Sequence, residues 1–202
     1  MEIRLSQALG PVKLALMDTA VQTANRRLRV LGNKSPCGPG CSNCCSRLVH
    51  ISVAEGILIY ERLVKNGKWL NVRKNAREQF PIIHDIHPLT WFKMNRPCPV
   101  LDPDTKTCRT YEVRPAACST HFVSSDPKLC SPWSTSTGDY KSEDMSDLLE
   151  SFQKRLEECV DGFGILKLEL PLPVALLLAE RISIQSFTEL DKAVSMLFNE
   201  FR

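Results

Sequence analysis

Four cysteines crowd into nine residues, Cys37-Gly-Pro-Gly-Cys41-Ser-Asn-Cys44-Cys45, and four more follow at Cys98, Cys108, Cys118 and Cys130. No other feature constrains the fold as strongly. Closely spaced thiolates chelate zinc and iron, so segments far apart in the chain must be drawn to a shared site. The ninth cysteine, Cys159, follows Leu156 on a helical stretch and reads as a buried free thiol. An odd count, and the strain of any bridge between adjacent Cys44 and Cys45, set a disulfide framework below metal ligation.

The remaining composition agrees with a reducing compartment. At 202 residues and 43% hydrophobic, the chain buries a core without disulfides, and one domain over residues 1–202 is expected. A formal charge of +3 argues for neither nucleic acid nor membrane as a partner. The first twenty residues lack the basic flank and unbroken apolar run of a signal peptide. The longest apolar run, Leu168 to Ile182, is interrupted by Glu169, Pro171, Pro173, Glu180 and Arg181. The expectation is a cytoplasmic protein whose thiols stay reduced.

Periodicity places helices on both flanks of the cysteines. Apolar spacing predicts a helix over 11–31, opened by Pro11 and stopped by Gly32-Asn33. Ser52-Val-Ala-Glu55 is a capping box opening a second helix, and 69–80 forms a third, polar one before Pro81. In the C-terminal segment, 146–200, helices are expected from Ser146 to Cys159, over 172–184, and over 187–200 behind a capping box at Ser186-Phe-Thr-Glu189. The cysteine-rich core, 37–130, lacks such periodicity. Within it, Asp102-Pro103-Asp104 predicts a turn closing a hairpin that brings Cys98 and Cys108 together, and Pro115 starts a short helix carrying Cys118. The fold class expected is therefore mainly α: a helical domain around an irregular cysteine-rich metal-binding core with a small β-hairpin.

Eight sulfurs divide into two sets of four, or into one four-cysteine centre with four supporting thiols, and the spacing leaves both open. Cys44 and Cys45 sharpen the question, because neighbouring side chains diverge on a strand or a helix and rarely serve one ion equally. Arg47, Arg96, Arg109 and Arg114 each lie within four residues of a cysteine, suited to balancing thiolate charge. His121 follows Cys118 at a ligand-like spacing, whereas His84 and His87 read as surface or packing residues, and His50 carries no separate signal. With this much apolar helix, eight ligands exceed what stability alone requires, which favours iron over structural zinc.

The motifs resemble a known family. Cys37, Cys41, Cys44 and Cys45 are followed by Cys98-Pro99-Val100-Leu101, a short turn, and Cys108-Arg-Thr-Tyr111-Glu112-Val-Arg114-Pro115-Ala-Ala-Cys118. This pattern is similar to that of the CxxCxxCC zinc- or iron-chelating proteins, the YkgJ-like cysteine-cluster proteins related to flagellin lysine N-methylases. It spans residues 37–130, with Cys130 as the eighth cysteine, and departs from the family in having three residues between Cys37 and Cys41. The resemblance implies metal ligation by Cys37, Cys41, Cys44, Cys45, Cys98, Cys108, Cys118 and Cys130. An iron–sulfur cluster of the 4Fe-4S kind is the favoured occupant, with zinc as the alternative.

Through the methylases, the resemblance also implies S-adenosylmethionine and a protein substrate or partner. Cys37-x3-Cys41-x2-Cys44 is in addition the spacing of radical S-adenosylmethionine enzymes, but the strand–helix alternation of their barrel is missing here. So is the Gly-x-Gly-x-x-Gly of an ordinary methyltransferase. If a reaction is catalysed, Tyr111, Glu112, Arg114 and His121 are the residues beside the thiols to carry it. Packing is the readier role for Tyr111 and Arg114, and Trp91, Phe92 and Trp133 are expected to shield the site.

Overall fold

A computed structural model describes residues 5–32, 36–83, 86–135, 138–161 and 164–185. Among these residues the chain is mainly helical: seven α-helices and one two-stranded antiparallel sheet. The helices are α1 (Leu5–Leu31), α2 (Val53–Lys65), α3 (Trp69–Ile83), α4 (Pro88–Met94), α5 (Ala116–Ser119), α6 (Ser146–Cys159) and α7 (Leu172–Gln185). No helix among the described residues is long and apolar enough to cross a membrane.

The sheet and the two helices that leave it organise the core. β1 (His50–Ser52) pairs with β2 (Glu169–Pro171), placing Ile51 opposite Leu170. α2 follows β1 and α7 follows β2, and the two helices pack so closely that a Cβ on Gly56 would stand 3.0 Å from the Ala175 carbonyl oxygen. α7 is buried on every face from Leu172 to Ala179, which is why its sequence reads as a continuous apolar run rather than a stripe. α3 covers α7 on one side, while α1 packs against α2 and α6.

The expected boundaries shift in several places. α1 begins six residues before Pro11, so this proline stands inside the helix instead of opening it. α3 likewise runs through Pro81 to Ile83. The capping box at α2 is present as expected, with both reciprocal bonds formed. α6 starts at Ser146, but Met145 is its cap. The hairpin is reduced to a single antiparallel bridge between Leu101 and Cys108, and the regular sheet lies elsewhere. His87, read as a surface or packing residue, caps the unanticipated α4, its Nδ1 accepting from the Leu89 N–H at 3.2 Å. His84 and the helix expected over 187–200 lie outside the described residues.

Candidate metal centre

The cysteine loop is built from tight turns. Cys41 N–H donates to the Gly38 carbonyl at 3.0 Å, Cys45 N–H to Ser42 at 2.9 Å, and Arg47 N–H to Cys44 at 3.1 Å. Gly40 supplies the left-handed residue this path requires, at φ 90°. Turn backbone, unlike strand or helix, lets neighbouring side chains meet: the Cys44 and Cys45 thiols hydrogen-bond to each other, as do those of Cys37 and Cys41. In each pair the proton shared between sulfurs depresses one thiol, Cys41 or Cys44, and raises its partner. Two sulfurs of the loop are thereby biased toward thiolate, the form that binds metal.

Three further segments close on this loop. Cys98 N–H donates to the Cys45 carbonyl at 2.6 Å, so the segment after α4 is tied directly to the doubled cysteine. The Leu101–Cys108 bridge sets Cys108 near Cys98, its turn closed by Asp102, whose Oδ1 accepts from the Asp104 and Thr105 N–H groups at 3.0 and 3.2 Å. Cys118 stands on α5. That helix is held by Glu55 of α2, whose Oε1 accepts from the Ala116 N–H at 2.9 Å while Oε2 accepts from Ser52. Cys130 ends a 3₁₀ turn, Pro127–Cys130, that is capped by Asp126.

All eight cysteines singled out from the spacing line one cavity. Cys159 does not line it; half-buried, it packs against the helical core. Arg27, Arg47, Arg96, Arg114 and Lys106 also face the cavity, and no aspartate or glutamate is among its described lining residues. Burial pushes the Cys98 thiol up to about 12 and Cys130 up to about 11, and Cys118 is raised by the same cause. The cations act in the opposite sense: Arg47 lowers Cys44 and Cys130, and Arg114 lowers Cys118. Arg96 Nε is buried with no hydrogen-bond partner, a donor left for something the protein itself does not supply.

The structure sorts the other residues singled out from the sequence. Arg109 pairs with Asp102 at 2.9 Å and serves the turn instead of the cavity. Glu112 is drawn off to Arg62 at 2.8 Å, leaving the cavity without its carboxylate. Arg114 lies over the Tyr111 ring at 4.3 Å, so this pair is a stacked unit in the wall. His121 lines the cavity, held below the ordinary imidazole value by burial and by Arg47. Trp91 is buried against it and Phe92 lies under the Arg47 guanidinium at 5.1 Å, whereas Trp133 is 66% exposed and does not line the cavity. Arg27 reaches the cavity from α1, ten residues before the first cysteine, and no local spacing signals it. Lys106, two residues before Cys108, was findable by the same proximity that marks the arginines.

A helical frame holding eight thiols in the wall of one cavity, whose described charged lining is basic, defines a cysteine-rich chelating domain. The family described as "CxxCxxCC: Putative zinc- or iron-chelating domain" matches residues 36–159, more than half of the chain, and the protein belongs to it. The match extends past the cysteines to include α6, the helix packed on α1. No curated protein and no solved structure matches the chain.

Proposed function

We propose that this protein carries iron–sulfur chemistry on its cysteines and works in a redox or cluster-assisted protein-modifying role. The observation that carries the proposal is the convergence of all eight thiols on a single cavity whose described charged lining is wholly basic. Thiolates assembled around a divalent ion or an oxidised cubane leave about two excess negative charges for each set of four. The five cations of the wall answer that charge, and the unpartnered Arg96 Nε–H is a ready donor to a sulfur acceptor. The donor set therefore fits a thiolate-ligated metal group, with Cys37, Cys41, Cys44, Cys45, Cys98, Cys108, Cys118 and Cys130 as its ligands.

A structural zinc needs four sulfurs, whereas eight thiols and five wall cations exceed what one such ion requires, which favours a cluster over a single zinc ion. When bound, such a cluster supplies one-electron chemistry. The protein's contribution is to bury it, exclude water with Trp91 and Phe122, and set its potential through the arginines.

Anaerobic purification followed by iron, acid-labile sulfide and zinc analysis tests the proposal. Broad visible absorption with bound iron and sulfide is expected. Colourless protein holding stoichiometric zinc would overturn the iron assignment, and protein binding neither metal would overturn the whole reading.

A further inference from the structure

We propose that Gln79, on a helix that carries no cysteine, is a positioning residue that aims Cys98 and ties it to the doubled cysteine. The proposal rests on the metal-binding reading above and adds a residue to that site.

Gln79 stands inside α3, is 5% exposed and forms part of the cavity wall. Its Nε2 donates to the Pro97 carbonyl at 2.8 Å. That carbonyl belongs to the same peptide group as the Cys98 N–H, which donates to the Cys45 carbonyl at 2.6 Å. One peptide unit is therefore held at both ends, by a side chain of α3 and by the backbone of the cysteine loop. The next unit is held as well, because the Cys98 carbonyl accepts from the Leu101 N–H at 3.0 Å. Peptide groups are planar, so fixing the two that flank Cys98 fixes its φ and ψ, and with them the direction in which its Cβ leaves the backbone. A bond to the Pro97 carbonyl also polarises the peptide group and strengthens the bond that its N–H makes to Cys45. Of these three bonds, only the one from Gln79 comes from a side chain.

The cost of placing an amide here points the same way. Gln79 Oε1 is buried with no hydrogen-bond partner, a penalty that an apolar side chain of the same length would not incur. Pro97 is exposed, so water can take over its carbonyl when the amide is removed. Global stability therefore gains little from Gln79, and what the amide supplies is the orientation of the Cys98 peptide. Glu55 does the same for another segment of the site: a buried polar side chain on α2 holds the Ala116 N–H, two residues before Cys118.

The experiment uses the full chain, purified anaerobically, and compares wild type with Gln79→Met, which keeps the length and loses both polar ends. Release of metal to excess chelator is followed in the protein as purified. The metal-free, folded chain is then pulse-labelled with iodoacetamide, and each cysteine is read by peptide mass. Gln79→Met should release metal about five- to tenfold faster and label about five- to tenfold faster at Cys98 and Cys45, with Cys37 and Cys130 unchanged and a urea midpoint close to wild type. Leu156→Ala, a core truncation in α6, should lower the midpoint and leave the release and labelling rates near wild type. Unchanged rates in Gln79→Met overturn the assignment. So does faster labelling of all the cysteines together with a lowered midpoint, the mark of general loosening. Should Gln79→Met fail to fold, Gln79→Asn, whose amide falls one methylene short of Pro97, takes its place with the same pattern expected. Where the metal-free chain does not stay folded, the release rate decides. Wild type that holds no metal defeats the metal-binding reading, and the labelling pattern then still decides the role of Gln79.

Discussion

Glu55 couples the stability of the fold to the position of Cys118, and its removal has a calculable consequence. Its carboxylate takes three hydrogen bonds in a buried setting: from Ser52 N–H and Ser52 Oγ at 2.8 Å each, and from Ala116 N–H at 2.9 Å. Glu55→Ala leaves two backbone N–H groups buried without acceptors, each costing about 1–3 kcal/mol, and it also removes packed methylenes. The expected loss is about 3–6 kcal/mol, a large part of the ~5–15 kcal/mol that holds a typical domain folded. Glu55→Gln has the same shape but one acceptor fewer. Its amide nitrogen can donate to Ser52 Oγ but cannot accept from the Ser52 N–H, so its cost is about 1–3 kcal/mol.

Urea unfolding reports both values as midpoint shifts at unchanged slope. The Ala116 N–H bond lies two residues from Cys118, so metal content should fall in Glu55→Ala further than in Glu55→Gln. A Glu55→Ala protein within about 0.5 kcal/mol of wild type, or a Gln variant as damaged as the Ala variant, would refute the bridging role assigned to this carboxylate.

Two other consequences follow from the same helix. Burial raises the Glu55 carboxyl above its ordinary value of 4.5, so the folded chain keeps this proton to higher pH than the unfolded chain does. Its contribution to stability is full below 4.5 and declines as pH rises through the folded value; the wild-type minus Glu55→Gln difference in urea midpoint should fall accordingly from acid toward neutral pH. A flat difference across that range would count against the burial effect. Gly56→Ala places a methyl 3.0 Å from the Ala175 carbonyl oxygen and 3.2 Å from its Cβ. Overpacking costs about 1–3 kcal/mol and outweighs the ~1 kcal/mol gained in helix propensity, so the midpoint should fall; an equal or higher midpoint would show that α7 can yield.

Elements with a strong local signal were legible. The Ser52–Glu55 capping box, the helix from Ser146 to Cys159 and the short helix behind Pro115 are written in residues a few positions apart, where the physics is local. α4 was not legible, because its cap is a histidine and its length only seven residues. The sheet was not legible either: β1 and β2 are three residues each and lie more than a hundred positions apart. Glu55 shows the same limit within one residue. Its capping bonds were readable from Ser-Val-Ala-Glu, but the bond to Ala116, sixty-one positions away, was not.

For the site, the sequence alone singled out the candidate donors, eight cysteines of nine with Cys159 set aside, and those eight are the ones that line the cavity; thiol chemistry and spacing are properties of the chain itself. Only the tertiary structure decided how the donors meet and what surrounds them. The turns of the cysteine loop bring Cys44 and Cys45 together where alternation predicts divergence. Long-range packing brings Arg27 to the cavity, and ion pairing takes Arg109 and Glu112 away from it. Which atoms can bind is a matter of side-chain chemistry, but their grouping depends on backbone path and competing partners, which exist only once the chain has folded.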